Sequence, residues 1–406
     1  MRQGDRTDPK RERKARQGGR RPTMTDVARL AGVSQSSVSL VLNNMSGARI
    51  AESTRKRVLD AAQAIGYRLQ SRRIDTGAQP KIIAYLVDEI STSPHPVVSV
   101  DGARDAAWEA GHLIAVHVTR ANRELEAATL RAVAADAALI GVIYSTIFTR
   151  KVELPPELDN IPTVLLNCYT GQRQQPSVVP GEVAGAFTAT EYLLQHGHRR
   201  IGLINGEPWM DASRDRLKGY RQALATADVP FDPELVRNGD WMPDTGYRRT
   251  YELLRLDRPP TALFCANDLM AVGAMEALAE LGIDVPGEIS VMGYDDQEMA
   301  RYTRPALSTC VLPNYDMGRW AAETLIDMAV NGGGKRPIQL KMDCPLVPRR
   351  SVSAPCPDIA AAISRASERI FSGPTSKPIH RAFSWSSLVQ GVPALPESYG
   401  AVLDGQ

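Results

Sequence analysis

The sequence predicts a small all-α N-terminal domain followed by an α/β core of two doubly wound parallel-sheet lobes. Residues 23–68 carry short helical patterns around a glycine turn, which is typical of a compact helical domain. Residues 81–353 alternate short apolar runs rich in Val, Ile and Leu with amphipathic helical patterns. Fully apolar strands between helices indicate parallel sheets that are covered on both faces. Because this stretch is long for one sheet, we expect two similar lobes.

The first helix is predicted to begin at residues 23–26 (TMTD), where a Thr cap precedes an Asp that suits the positive end of a helix. Gly32 then supplies a turn, since a positive φ costs glycine little, and Ser34 caps a second helix. The predicted apolar face of the first helix consists of Val27, Ala28, Leu30 and Ala31. A third helix is predicted at residues 54–67, with the core positions Val58, Leu59, Ala62 and Ile65.

The second helix is predicted to end near Leu42 and to combine a buried stripe with a short polar face. Val38, Val41 and Leu42 have the i, i+3, i+4 spacing of such a stripe. The other side chains are mostly Ser, a mediocre helix former that suits a helix lying close to a phosphate backbone. Two short helices joined by a glycine turn match the helix-turn-helix, whose second helix enters the major groove of DNA. A generic three-helix domain is the alternative interpretation.

Charge is distributed unevenly along the chain. Residues 1–73 contain 17 Lys/Arg and 6 Asp/Glu, net +11, which leaves 31 and 40 in the remainder, net −9. Because residues 1–73 are basic and the remainder is acidic, we expect only the N-terminal region to bind a polyanion. A solvated basic tail is the alternative interpretation of this asymmetry.

The segments that flank the two domains are predicted from their composition. Residues 1–22 are basic and almost without apolar side chains, so we expect a disordered extension. Residues 69–80 are expected to form a hinge or linker. Residues 354–406 contain Pro, Ser and Gly throughout, so we expect a mostly disordered tail with one helix near residues 358–371.

Several classes of function find no support in the sequence. The five cysteines are scattered and never spaced as CxxC, so we expect a reducing compartment and no disulfide framework or zinc site. The chain has neither a GxSxG nor an HExxH motif, and its NGGGKR stretch lacks the spacing of a phosphate loop. Residues 1–22 are charged without an apolar core, so we expect no secretory signal there, and the sequence has no run of about 18 apolar residues. We therefore expect a cytoplasmic protein that is not an enzyme and uses no metal, cofactor or membrane.

Several long motifs in a fixed order resemble one known family. TMTDVARLAGVSQSSVSLVLN, followed by TRKRVLDAAQAIGYR, resembles the DNA-binding headpiece of the lactose/galactose repressor (LacI/GalR-type) family of bacterial transcriptional regulators. Downstream, GHRRIGLING, RDRLKGYRQAL, NDLMAVGAMEAL, GIDVPGEISVMGYDD and RPALSTC resemble that family's effector core. Over residues 23–353 the resemblance implies a helix-turn-helix head, a periplasmic-binding-protein-like core and a homodimeric repressor. It also implies a near-palindromic double-stranded DNA operator and a small polar effector, which we expect to be a sugar.

The resemblance assigns DNA-contacting roles to matching positions. Gln35, Ser36 and Leu40 would read bases, and because many family members carry Arg at the position of Leu40, we expect an unusual operator. Ile74 would be the wedge that a hinge helix inserts into the minor groove. The hinge here is shorter than usual, so an anchor onto the core is the alternative role of Ile74. The phosphate-side contacts or caps would be Thr23, Ser34, Ser37, Ser39, Asn43, Thr54 and Arg55.

The effector is expected in the crevice at the carboxyl ends of the parallel strands. By the resemblance, Arg216 and Asp295 would contact it, and Asn267 and Trp241 would line the pocket. A guanidinium fork, a carboxylate and an indole face suit a sugar. Asn267 as a helix cap and Trp241 as core filling are the alternatives. Two further candidates are Arg214 and Trp209.

Three other functions stay open as alternatives. A periplasmic-type sugar-transport protein would share the core but not the helical head. A sugar-acting α/β enzyme would need a catalytic constellation, which the motifs do not supply. A regulator with a non-sugar effector is the third, because Gly181 and Leu312 stand where the family often has polar pocket residues.

Overall fold

The structure, a computed structural model, describes residues 24–33, 38, 41–42, 51–67, 80–331 and 337–372. These residues form a helical head, two α/β lobes and a C-terminal helix. The helices are α1 (Met24–Ala31), α2 (Glu52–Ala64), α3 (His95–Glu109), α4 (Arg123–Ala134), α5 (Glu182–Gln195), α6 (Asp211–Thr226), α7 (Pro243–Leu254), α8 (Asp268–Leu281), α9 (Asn314–Asn331) and α10 (Ile359–Ser372). The strands are β1 (Ile82–Val87), β2 (Leu113–Val118), β3 (Leu139–Lys151), β4 (Thr163–Tyr169), β5 (Ser177–Pro180), β6 (Ile201–Asn205), β7 (Val236–Asn238), β8 (Ala262–Cys265), β9 (Ser290–Met292), β10 (Thr309–Cys310), β11 (Gln339–Met342) and β12 (Leu346–Val347).

The first lobe is a six-stranded parallel sheet in the order β11-β5-β4-β3-β1-β2. Successive side chains of a strand face opposite sides of the sheet, and both sides of β1 are covered. Ile83 and Val87 pack under α3 and α9, whereas Leu86 packs against Leu130 of α4. This double cover is why the run IIAYLV has no polar alternation.

The second lobe is a four-stranded parallel sheet in the order β7-β6-β8-β9. Helices α5 and α6 cover one face, where Tyr220 is fully buried, and α7 and α8 cover the other around Met270. The short strands β10 and β12 pair antiparallel beside this sheet. The predicted core of two doubly wound parallel-sheet lobes is confirmed.

The chain passes between the lobes at three places. It leaves the first sheet after β5, returns from β10 to α9 at residues 311–314, and leaves again between β11 and β12. Two of these crossings touch, because Gly181 N–H donates to the Met342 carbonyl oxygen at 2.7 Å. A β-carbon at Gly181 would lie 2.9 Å from the same oxygen. This close approach explains a glycine where a polar pocket residue was expected.

The head has a small apolar core. Val27, Val38 and Val58 are buried together, and Gly32 has the left-handed φ of +64° that the turn requires. The same cluster includes Tyr315 of α9, so the head packs onto the first lobe. Tyr67, at the C-terminal end of the described head, packs against this cluster.

Two predicted core positions of the head are wrong. Leu30 is 56% exposed and Leu59 is 49% exposed. Each residue of a helix advances by about 100°, so the buried positions of α1 and α2 define a narrow stripe. Leu30 and Leu59 both fall outside it, since each lies roughly a quarter-turn or more from the centre of its stripe.

Within residues 354–372, the chain forms α10, which docks on the second lobe. Ala362, Ala366 and Ile370 are buried against α7 and α8. The Arg255 guanidinium donates twice to the Ile370 carbonyl oxygen, at 2.9 and 3.1 Å. Residues 373–406 lie outside the described part of the chain, so the rest of the predicted tail stays a prediction.

Ile370→Ala is expected to lower the free energy of unfolding by about 2–4 kcal/mol, because it removes buried apolar contacts and leaves a cavity. Phe371→Ala is the matched control: the neighbouring side chain is 68% exposed, so its loss should change stability by less than about 0.5 kcal/mol. Urea unfolding of both variants measures the difference. Equal effects would show that α10 is not docked through Ile370.

Candidate functional site

The cleft between the lobes centres on Arg216, a buried residue of α6. Its Nε and Nη2 atoms donate to the two carboxylate oxygens of Glu182 at 2.8 and 2.9 Å. Its Nη1 atom donates to the carbonyl oxygen of Ala266. Glu182 reaches this position because α5 and α6 pack closely: a β-carbon at Gly219 would collide with the Val183 carbonyl oxygen. The bidentate pair fixes the plane of the guanidinium.

A second carboxylate and two aromatic rings complete the surroundings of Arg216. Asp295 Oδ1 lies 3.5 Å from Nη2. The guanidinium carbon lies 3.9 Å from the ring centroid of Tyr294 and 5.5 Å from that of Trp241. Burial alone would lower the pKa of Arg216, but the charges of Glu182 and Asp295 outweigh burial and raise the pKa above its ordinary value. Arg216 is therefore a permanent cation within a ring of acceptors.

Asp295 connects the two lobes. Its Oδ2 atom lies 3.4 Å from Nε2 of His95, the first residue of α3 in the other lobe. The amide nitrogen of Asn314 lies 3.1 Å from His95 Nδ1. Because that amide donates, Nδ1 accepts and Nε2 carries the proton that faces Asp295. The backbone of Asp295 has a φ of +106°, a rare conformation for a residue with a side chain.

Asn267 and Trp241 lie beside Arg216 and support each other. Asn267 Oδ1 accepts from Met270 N at 2.9 Å and so caps α8, while its Nδ2 donates to the Trp241 carbonyl oxygen at 2.9 Å. Trp241 packs its ring directly over Gly206 and donates from Nε1 to Glu207 at 3.0 Å. The structure thus brings together Arg216, Asp295, Asn267 and Trp241, with Asn267 acting as a cap.

The two remaining candidates lie at the margin of the cleft. The Trp209 side chain is 48% exposed and meets Phe148 of the first lobe edge to face, with 5.4 Å between ring centroids. Arg214 donates to the Trp209 carbonyl oxygen at 2.7 Å and pairs with Asp211. Asp211 also accepts from Tyr169 of the first lobe at 2.8 Å. These contacts join the lobes at the outer edge of the cleft.

Several residues of the cleft were not predicted from the sequence. Glu182 follows Gly181 directly, so an acidic group is present but one position later than expected. His95 lies in residues 91–102, a stretch that differs from the family's usual first-lobe lining and so assigned no role to any single residue. Four buried oxygen atoms of the second lobe have no hydrogen-bond partner in the described part of the chain: Asn205 Oδ1, Ser213 Oγ, Tyr294 Oη and Asp295 Oδ1. A bound ligand can satisfy such atoms.

Only part of the predicted DNA-contacting set can be placed. Thr54 and Arg55 lie in the first turn of α2 and are partly exposed, with Arg57 Nη2 donating to Thr54 Oγ1 at 3.4 Å. The other predicted positions lie outside the described residues: Thr23, Ser34, Gln35, Ser36, Ser37, Ser39, Leu40, Asn43 and Ile74.

Two kinds of site were searched for in the described ranges. Of the helices described there, none has the length and apolar character needed to span a membrane. Nor do the described side chains include a group of three or more His, Cys, Asp or Glu placed to hold a metal ion.

Known proteins resemble this chain over most of its length. The model for bacterial regulatory proteins of the lacI family matches residues 23–70, and the model for a periplasmic binding protein-like domain matches residues 190–352. The HTH-type transcriptional repressor CytR of Escherichia coli (strain K12) is 30% identical over 337 residues, which are 82% of this chain and 96% of that protein. The HTH-type transcriptional repressor PurR of Yersinia pestis (strain Pestoides F) is 31% identical over 82% of this chain and 97% of that protein.

Solved structures that resemble this chain are also transcriptional regulators. A complex of the transcriptional regulator CelR with cellobiose superposes with a TM-score of 0.57 at 29% identity, covering 82% of this chain and all of that one. The Lac repressor dimer bound to operator and the anti-inducer ONPF gives a TM-score of 0.58 at 26% identity, with the same coverage. The relatives are transcriptional regulators rather than enzymes. This chain is a DNA-binding transcriptional regulator and belongs to the lacI family of bacterial regulatory proteins.

Proposed function

We propose that the chain is a homodimeric repressor whose operator affinity is controlled by a sugar bound between the lobes. The observation that carries the proposal is the cluster of Arg216, Glu182 and Asp295 beneath the Trp241 ring. Carboxylate oxygens accept from sugar hydroxyls, and an indole face covers the apolar side of a pyranose. The bound cellobiose of the CelR structure supports the same class of ligand.

The contacts across the cleft suggest how a ligand would reach the head. Asp295 faces His95, His95 contacts Asn314, and the next residue, Tyr315, packs in the core cluster of the head. A ligand that forms a hydrogen bond to Asp295 would change the contact between Asp295 and His95, which joins the two lobes. Couplings between sites in such two-state proteins are typically about 1–3 kcal/mol.

The DNA-binding role rests on the head and on dimer symmetry. We propose Gln35, Ser36 and Leu40 as the base-reading residues and Ile74 as a minor-groove wedge. Two heads on a two-fold dimer would read a near-palindromic site. We propose that the dimer forms through α3 and the edge strand β2. These two elements expose four large apolar side chains: Val97, Trp108, Leu113 and Val116.

Two of the residues that we predict to contact DNA phosphates lie where the structure supports that role. Thr54 and Arg55 both lie in the first turn of α2, where the positive end of the helix favours an anion. We propose the other phosphate-side contacts from the resemblance alone: Thr23, Ser34, Ser37, Ser39 and Asn43.

Two titrations test the proposal. An operator selected in vitro from random DNA should be two-fold symmetric, and its affinity should fall steeply with salt because phosphate contacts release counterions. A sugar that raises the melting temperature in a thermal-shift screen should change that affinity, measured by fluorescence anisotropy. A flat salt dependence would contradict the DNA-binding role. A full panel of sugars without any thermal shift would contradict the sugar effector.

A further inference from the structure

The guanidinium of Arg216 donates three hydrogen bonds to its own chain. The Glu182 carboxylate accepts hydrogen bonds from Nε and Nη2, and the Ala266 carbonyl oxygen accepts one from Nη1. The Tyr294 ring lies over the guanidinium, 3.9 Å from its carbon atom, and the Trp241 ring centroid is 5.5 Å away. A carboxylate or phosphate group that docked on the Nε–Nη2 edge of this guanidinium would have to displace Glu182 from a buried bidentate pair.

Carboxylates outnumber cations around Arg216. Glu182 and Asp295 lie 2.8 and 3.5 Å from the guanidinium, so two carboxylates surround one arginine. Other arginines at strand ends and helix starts have carboxylate partners of their own: Arg150 with Asp88, Arg214 with Asp211 and Arg349 with Asp296. The cluster is therefore net negative, and it repels an anion most strongly at the short distances of direct contact.

The buried atoms that lack partners favour a ligand with hydroxyl groups. Asp295 Oδ1 and Asn205 Oδ1 can only accept, and Ser213 Oγ lies one turn before Arg216 on α6. A sugar hydroxyl can donate to each of these oxygens. A carboxylate, or the dianionic phosphate of a monoester, has no hydrogen of its own to give, so it would leave an acceptor unsatisfied wherever it took the place of a hydroxyl.

We propose that Glu182 is a specificity-determining residue, which closes the Arg216 fork to anions so that the cleft accepts uncharged polyhydroxy ligands and rejects sugar acids and sugar phosphates. The proposal rests on the proposed role of the cleft as the effector site. In this arrangement Arg216 holds Glu182 and Asp295 in place, and Asp295 Oδ1 and Asn205 Oδ1, which accept no hydrogen bond from the described chain, accept from the ligand.

The first experiment uses inorganic phosphate as the probe, at constant ionic strength. Wild type and Glu182→Gln are compared in thermal-shift titrations of the full chain, because Gln keeps the shape of the side chain and removes its charge. Wild type should show no saturable stabilisation by phosphate beyond that of sodium chloride and beyond that of the double variant Arg216→Met with Glu182→Gln, which keeps the phosphate-contacting head and lacks the guanidinium. Glu182→Gln should bind phosphate at least tenfold more tightly than wild type, since the fork of Arg216 is no longer held by a carboxylate.

A matched control distinguishes this effect from the general effect of removing one negative charge from the protein. Glu191→Gln makes the same change on the same helix, about 13 Å away at the rise of an α-helix. It should behave as wild type. Equal phosphate affinity in wild type and folded Glu182→Gln, with folding verified by circular dichroism, would overturn the proposal. Saturable phosphate binding that the wild type shows and the double variant Arg216→Met with Glu182→Gln lacks would overturn it even if Glu182→Gln alone did not fold.

The second experiment compares neutral sugars with their charged counterparts. Glucose is paired with glucuronate and with glucose 6-phosphate, galactose with galacturonate, and cellobiose is added as a neutral disaccharide. Any neutral sugar that stabilises the wild type should bind at least tenfold more tightly than its charged counterpart, and the gap should narrow in Glu182→Gln. A charged counterpart that binds the wild type as tightly as its parent would overturn the proposal. If no sugar binds, the sugar effector is contradicted, and the phosphate titration still decides the role of Glu182.

Discussion

Arg216→Ala is expected to destabilise the second lobe by about 3–5 kcal/mol and to abolish the response to effector. The substitution leaves Glu182 and Asp295 buried without their cation, and breaking a buried ion pair from one side is strongly unfavourable. Urea unfolding measures the first effect. The second is measured by titrating the operator complex with any sugar that stabilises the wild type.

A control and a second variant separate binding from stability. Lys218→Ala removes an exposed cation from the same helix and should change stability by less than about 1 kcal/mol. The double variant Arg216→Met with Glu182→Gln replaces the charged pair by neutral groups of similar volume. It should recover part of the lost stability while the effector response stays absent. A normal effector titration in either Arg216 variant would contradict the placement of the effector in this cleft.

The layout of the core could be predicted from the sequence because its cause is local. A strand covered on both faces must be apolar at nearly every position, and IIAYLV of β1 and ALFC of β8 have that pattern. Helices between such strands then require parallel sheets. In the head the same reasoning failed at Leu30 and Leu59, because an apolar residue on a short helix is not buried unless it faces the narrow stripe that the neighbouring helices cover.

The cleft was less predictable because its contacts join distant parts of the chain. His95 and Asp295 are 200 positions apart in the sequence, and only the packing of two lobes brings them to 3.4 Å. Glu182 could have been found as an acid at the end of β5. Its role as the partner of Arg216 depends, however, on the close approach of α5 and α6 at Gly219, which no periodicity reveals.

The uneven charge of the chain and its separate buried clusters indicate that the head and the two lobes can function separately. The head has its own cluster of buried residues, and each lobe has others. Residues after position 73 carry a net charge of −9, so the body repels a DNA backbone at long range. The described contact between head and core passes through Tyr315 and Val98. Neither lobe needs the head to complete its sheet.

Deletion of residues 1–73 is therefore expected to abolish operator binding and to leave a folded core that still binds its ligand. Loss of the basic region removes the phosphate contacts, which supply most of the affinity for DNA, whereas the parallel sheets of both lobes are untouched. DNase footprinting measures the first effect and a thermal-shift titration the second. Deletion of residues 1–22 alone is the control: it should keep the footprint and weaken only the salt-dependent, nonspecific affinity, because the helices of the head remain. A footprint that survives removal of residues 1–73 would show that the core, not the head, recognises the operator.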